Sequence, residues 1–356
     1  MYLVAECPKA EGWFRSMTAS PIVQRNRDVA FETCGHERPP RRVCDVCKTA
    51  QYVFVACSNQ CLWTHQRVAH EPALPVDTAT RARRAQAARN REASGLWDLY
   101  ARHRERLMTL IPAGPADRTL CVLGAGKCDD LDLPRLADGF AVIRLVDLDG
   151  EAMERARDRQ PARVRDAIVL QGGVDLSGLL ARLDEWGEAF PDDHTLFEAS
   201  SSAADAVVDA LGGPFDVTLS TCVLSQLMLP FQNAWAASAD TWSRLTAATS
   251  AVHLAVLARI TAPRGAASLV FDALSSNDRP VLTALMDHSS EQLQAAVDAE
   301  LQSGAVGLAP DPISLLAQIS NSSIAAQQPS PCLSGPWLWN IGTALQLVYA
   351  LSFRRR

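Results

Sequence analysis

At 356 residues the chain is long enough for two domains, since one domain takes about 150 residues. Apolar residues make up 48% and charged residues 21%, with a net charge of −6 and a mean hydropathy of −0.02. These values exclude a disordered or fibrous chain and a nucleic-acid binder acting through bulk charge. The longest apolar windows, 251–260 and 345–351, fall well short of the ~20 residues of a membrane-spanning helix. The first residues, Met1-Tyr2-Leu3-Val4-Ala5-Glu6, carry neither the basic nor the apolar region of a secretory signal. A cytoplasmic protein without a membrane partner is expected.

Residues 1–30 are read as an N-terminal extension and 31–72 as a small metal-binding segment. Five of the ten cysteines, Cys34, Cys44, Cys47, Cys57 and Cys61, fall within 28 residues, accompanied by His36, His65 and His70. In a reducing compartment such a cluster points to a metal rather than to disulfides. Cys44 and Cys47 form one close pair and Cys57 and Cys61 a second, separated by the strand-like Gln51-Tyr52-Val53-Phe54-Val55. Each pair supplies half of a tetrahedron, so these four are the expected ligands of a structural Zn²⁺ closed to substrate. The piece Cys57-Ser58-Asn59-Gln60-Cys61-Leu62-Trp63-Thr64-His65 resembles the second half of a HIT or MYND zinc finger, over about residues 41–71. The resemblance implies a module that binds a protein partner. Those fingers hold two zinc ions, and the middle Cys-x-x-Cys pair is missing here. A second site would draw on Cys34, His36, His65 and His70.

Pro72 and Pro75 close that segment, and residues 73–112 read as a helical linker with a break near Ser94-Gly95. Arg81, Arg83, Arg84, Arg89 and Arg91 sit among alanines, which suits a solvated helix facing an acidic body or one that meets RNA or an acidic partner. Leu96, Trp97, Tyr100, Leu107 and Leu110 have the spacing of a helix packed onto the next domain.

From 113 to 356 short apolar runs alternate with amphipathic stretches, the pattern of an α/β fold with a mostly parallel sheet covered on both faces. The run Thr119-Leu120-Cys121-Val122-Leu123 ends in Gly124-Ala125-Gly126, where a backbone without side chains lets a ligand come close. The next run ends in Asp147-Leu148-Asp149, about 20 residues on, where an acid holds a ribose diol. A dinucleotide needs a third small residue and a helix start open to pyrophosphate. Asp129, Asp130 and Asp132 stand there instead, and three carboxylates repel a pyrophosphate while accepting a cationic sulfonium. S-adenosylmethionine fits these residues better than NAD does.

The segments 122–126, 146–156 and 215–220, with the turn at 262–272 and the closing run 344–351, together resemble a class I S-adenosylmethionine-dependent methyltransferase with a Rossmann-like sheet. The likeness runs over roughly residues 95–356. It implies a terminal antiparallel strand and an enzyme that transfers a methyl group from S-adenosylmethionine. It also implies cofactor contacts from Gly124, Ala125, Gly126, Asp147 and Leu148, with Asp175 beside the adenine. Ser220 and Thr221, at the end of the fourth strand, are expected to line the pocket. A helix cap is the other reading of Asp175. Cys222 reads as a packed thiol rather than a nucleophile, and no catalytic base is identified. An insertion at about 277–335 is long enough to shape acceptor specificity, along with Trp337 and Trp339. The acceptor is open among protein, RNA and small molecule. Two departures, Val122 where the family often has an acid and Cys128 at the third glycine position, motivate a rival: a non-catalytic zinc-finger interaction protein carrying a vestigial methyltransferase-like domain.

Overall fold

The computed structural model describes residues 77–92, 95–186, 190–234, 239–302, 310–321 and 331–355. The expected zinc ligands, Cys44, Cys47, Cys57 and Cys61, and the second set, Cys34, His36, His65 and His70, lie outside the described residues. Thr78–Arg356 forms one compact unit. The stretch read as a linker contributes two of its helices, α1 (Thr78–Glu92) and α2 (Ala101–Leu110), separated by a turn in which Gly95 has φ +79°.

The α/β body then runs β1 (Thr119–Leu123), α3 (Leu133–Gly139), β2 (Val142–Asp147), α4 (Gly150–Asp158), α5 (Ala162–Ala167) and β3 (Ile168–Gly172). After it come α6 (Leu180–Trp186), α7 (Asp193–Leu211), β4 (Phe215–Thr221), α8 (Leu224–Leu227), α9 (Leu229–Ala234), α10 (Ala239–Ile260) and β5 (Thr261–Ser275). The expected insertion holds a 3-10 turn (Pro280–Leu285), α11 (Ser290–Gln302) and α12 (Pro312–Asn321), and the chain closes with β6 (Cys332–Asn340) and β7 (Leu345–Arg354).

The seven strands form one sheet in the order β3-β2-β1-β4-β5-β7-β6. β1 to β5 pair in parallel, and β7 runs antiparallel to both β5 and β6. The sequence-based expectation of a mostly parallel sheet with a terminal antiparallel strand is met. Successive side chains of a strand point to opposite faces, and the sheet is buried on both. Cys121, Leu123, Leu269, Phe271, Leu347 and Tyr349 enter one core, shared with α7 and α10. Leu120, Val122, Leu219, Val270, Val348 and Ala350 enter the other, shared with α2 to α5. Val122 is thus a fully buried core residue, which gives a packing reason for an apolar side chain there.

Helix starts are fixed by carboxylates that take up otherwise unpaired backbone N–H groups. Asp132 accepts from the Arg135 N–H at 3.1 Å, Asp149 from the Ala152 N–H at 3.1 Å, and Asp192 from the Thr195 N–H at 2.8 Å. At the far end of the sheet, Asp216 Oδ2 accepts from both Thr119 N–H (2.8 Å) and Thr119 Oγ1 (2.9 Å), which pins the start of β1 to that of β4. Strand order reverses between β1 and β4, so the carboxyl ends of these two strands open the crevice where ligands of such sheets bind. Among the described residues no helix is long and apolar enough to cross a membrane.

Candidate functional site

The crevice is built around the turn that follows β1. Gly124 has φ +79°, and a Cβ there would lie 2.6 Å from the Val223 Cβ, so the turn passes against the start of α8 only because the side chain is missing. Thr221 Oγ1 donates to the Gly124 carbonyl at 2.9 Å, tying that turn to the end of β4. The N–H groups of Gly124 and Ala125 reach across to the Val146 carbonyl at 2.9 and 3.1 Å.

Asp147, the last residue of β2, is buried. Its Oδ2 accepts from the Gly126 N–H at 2.9 Å and its Oδ1 from the Asp149 N–H at 2.8 Å. A carboxylate oxygen has more than one lone pair, so both oxygens keep acceptor capacity while the side chain is held in one orientation. Burial pushes the carboxyl up to about 6, Asp149's charge adds to this, and the backbone N–H groups oppose it. Asp149 is buried as well, capping α4 and accepting from Asn90 Nδ2 of α1 at 2.8 Å.

Next to the same turn stand the three acids that the sequence marks as hostile to pyrophosphate. Asp132 is consumed as the cap of α3. Asp129 pairs with Lys127 Nζ at 3.0 Å, with Arg159 at 3.8 Å, and its carbonyl takes a hydrogen bond from Arg104 at 2.7 Å. Asp130 is buried, and desolvation pushes it up to about 7, with the charges of Asp129 and Asp147 adding and its own backbone N–H opposing. The helix after the glycines starts at Leu133, seven residues beyond Gly126, so the turn offers no open helix N-terminus to a pyrophosphate.

The cavity at this edge is lined by Asp147 and Leu148 from the end of β2, Val174 and Asp175 after β3, and Val223 and Gln226 after β4. Helix α1 closes it with Ala82, Gln86 and Arg89. The structure therefore brings together Gly126, Asp147, Leu148 and Asp175 of the expected set. Asp175 lines the cavity, and its carboxylate accepts from Ser177 N–H (2.9 Å), Ser177 Oγ (2.6 Å) and Leu180 N–H (2.9 Å) at the start of α6.

Ser220 departs from its expected place on the pocket wall. It is fully buried and shares a hydrogen bond of 2.8 Å with His253 Nε2 of α10. Strand alternation turns it toward the helix layer, and burial pushes the His253 imidazole down to about 4. Thr221 acts on the site through the Gly124 carbonyl, as a strut. The Cys222 thiol is buried and held well above its ordinary value by desolvation and by the charges of Asp272 and Asp130, which excludes a ready thiolate and agrees with the packed reading. Trp337 packs in the core and donates to His103 Nδ1 at 3.0 Å, while the His103 ring stacks on Trp339 at 4.2 Å. Sequence reasoning missed the contribution of α1, whose Arg, Gln and Ala residues carry no pattern that separates a pocket wall from a solvated face. Among the described residues there is no group of three or more metal-ligating side chains.

A Cβ placed on Gly172 would come 2.5 Å from the Gly150 Cα, so the end of β3, where Gly172 pairs with Asp147, and the start of α4 touch backbone to backbone.

No family model matches the chain, and no curated protein matches it. Solved structures similar to it include methyltransferases. The complex between the Haloferax volcanii Trm112 methyltransferase activator and a methyltransferase aligns over 56% of this chain at 15% identity and a TM-score of 0.30. This chain spans 62% of that protein's length. N-methyltransferase NodS from Bradyrhizobium japonicum WM9 aligns over 74% of this chain and 98% of its own, at 11% identity and a TM-score of 0.35. The glycopeptide N-methyltransferase MtfA, complexed with S-adenosylmethionine, aligns over 49% of this chain and 55% of its own, at 16% identity and a TM-score of 0.28. At such scores the chemistry has to be read from this chain's own residues.

Proposed function

We propose that the Thr78–Arg356 unit binds S-adenosylmethionine at the carboxyl ends of β1, β2 and β4 and transfers its methyl group to an acceptor. The observation that carries this reading is the pair of buried carboxyls, Asp130 and Asp147, flanking a glycine turn with no open helix N-terminus. Buried acids raised to about 7 and about 6 favour a ligand that brings positive charge and disfavour one that brings phosphates. NAD therefore fits this edge poorly.

In this reading Asp147 accepts the ribose hydroxyls, the backbone of Gly124, Ala125 and Gly126 lies along the methionine part, and Leu148, Val174 and Asp175 form the nucleoside wall. The bound cofactor supplies an electrophilic methyl group. The chain's own work is to hold that group and the acceptor in line and to keep water out, which accounts for much of the rate enhancement in a reaction with no covalent enzyme intermediate. The acceptor, whether protein, RNA or small molecule, is left unassigned.

Calorimetric titration of S-adenosylhomocysteine, with NADH as a control, tests the reading. Micromolar binding that Asp147→Ala removes is the expected result. Failure of S-adenosylhomocysteine to bind, with the protein folded, supports the non-catalytic interaction protein instead, and retention of NADH revives a dehydrogenase. The zinc finger is part of the same proposal, resting on the spacing of Cys44, Cys47, Cys57 and Cys61, with a partner or acceptor held through that segment. Metal analysis is expected to return about one equivalent of zinc, bound by four thiolates and released in Cys44→Ser; a metal-free preparation with an unchanged fold overturns it.

A further inference from the structure

Helix α1 lies outside the strand-and-turn pattern that suggests a cofactor, yet it touches nearly every part of the crevice. Arg83 Nη2 donates to the Gly173 carbonyl after β3 at 3.2 Å, Gln86 Nε2 to Gln226 Oε1 after β4 at 3.0 Å, and Asn90 Nδ2 to Asp149 Oδ2 after β2 at 2.8 Å. A Cβ on Gly126 would stand 3.7 Å from Asn90 Oδ1, so the same helix also reaches the glycine turn. Its inner face is formed by Ala82, Gln86 and Arg89, which line the cavity together with Asp147, Leu148 and Val174. The opposite face carries Arg81, Arg84 and Arg91, all exposed and within one helical stripe.

Among the described side chains of the helix, Ala82 is the one buried apolar group, and the other contacts to the body named above are polar. A helix attached in this way undocks more readily than one that buries an apolar stripe. A ligand seated in the cavity touches α1 and the sheet edge together. By reciprocity, whatever the docked helix adds to ligand affinity, the ligand returns to helix docking.

Resting on the cofactor reading above, we propose that α1 is a wall of the nucleoside pocket, that its docking and cofactor binding are one coupled event, and that Gln86 and Asn90 are the positioning residues that couple them. Neither residue takes part in chemistry; each holds the helix against an element that itself carries a pocket residue.

Hydrogen exchange of the full chain, with and without S-adenosylhomocysteine, tests this. Ligand is expected to slow exchange about tenfold in peptides covering 78–92, in step with the glycine turn and the end of β2. The double variant Gln86→Ala/Asn90→Ala is expected to exchange faster over 78–92 without ligand, and to bind S-adenosylhomocysteine about tenfold more weakly through faster dissociation, as the loss of two hydrogen bonds implies. Arg84→Ala, on the outer face, is expected to match the parent in both measurements. Protection at the glycine turn with none over 78–92, or parent-like affinity in the double variant, overturns the coupling and leaves the cofactor reading standing. No protection anywhere overturns both.

Discussion

Two buried ionisable clusters meet at the end of β4, and they look alike until their surroundings are compared. On one side Ser220 and His253 share a 2.8 Å hydrogen bond, the geometry of a nucleophile and its base. On the other, Asp147 and Asp130 sit beside the glycine turn without such a pairing. The Ser220–His253 pair is sealed between the sheet and α10, and no residue of it lines the cavity. Asp147 does line it, one strand away from the point where strand order reverses. A close pair of reactive groups is thus a structural hydrogen bond when nothing can reach it, whereas a carboxyl raised by burial at a ligand-accessible edge, as Asp147 is, is a group waiting for a charge.

Removing Asp147 tests this contrast most severely. Asp147→Ala is expected to weaken S-adenosylhomocysteine binding about a hundredfold, since hydrogen bonds to a buried charged group are lost. Calorimetry reads the effect, and Ser220→Ala is expected to bind like the parent. The reverse pattern would make Ser220 and His253 the site. Next in size is an effect on stability: Ser220→Ala leaves a buried imidazole nitrogen without its hydroxyl, at a cost of about 1–3 kcal/mol. Thermal melting should show this as a loss of a few degrees, and an unchanged melting temperature would mean that the pair does not hold β4 to α10.

A third test separates the clusters by pH. The free protein holds Asp147 and Asp130 protonated below about 6 and about 7, and a cationic ligand prefers them ionised. Binding therefore releases protons, and affinity for S-adenosylmethionine is expected to rise about tenfold between pH 5.5 and 8. S-adenosylhomocysteine, lacking the sulfonium charge, is expected to show a shallower rise; equal slopes would remove the carboxyls from the cofactor's charge.

A weaker dependence is expected in the pH profile of stability, where the two sides have opposite signs. His253 and His103 are held down to about 4 and about 3, so the unfolded chain takes up protons first and stability is lost as pH falls below about 6.5. The raised carboxyls contribute stability that is present below about 4 and is lost as pH rises through about 6 and 7. The two trends offset each other between pH 7 and 5. Asp130→Asn leaves the histidine trend less opposed, and its melting temperature is expected to fall more steeply over that range than the parent's, by about 1 kcal/mol in stability. Parallel profiles would show that Asp130 is not raised.

Much of the fold is legible in the sequence because a sheet buried on both faces leaves continuous apolar runs, as at 120–123 and 347–351, each ending in a turn or polar residue. The glycine turn and Asp147 are legible for the same reason: their positions are set by strand ends. Two things are not. The direction of Ser220 depends on which face of β4 meets α10, a choice made by packing, although counting alternate residues from Leu219 would have pointed it away from the core that Leu219 enters. Helix α1 is the other. A polar helix laid on a polar crevice has the composition of a solvated one, and only its tertiary hydrogen bonds from Arg83, Gln86 and Asn90 distinguish them.

The contact between Gly150 and Gly172 has a consequence for how this protein tolerates change. A methyl group at Gly172 would overlap the Gly150 Cα at 2.5 Å, and neither partner is a side chain that can swing aside. The spacing between the end of β3, where Gly172 pairs with Asp147, and the start of α4 is set by two missing side chains. Substitution at Gly172 moves backbone rather than rotamers, so a library of variants would find that position intolerant even to alanine.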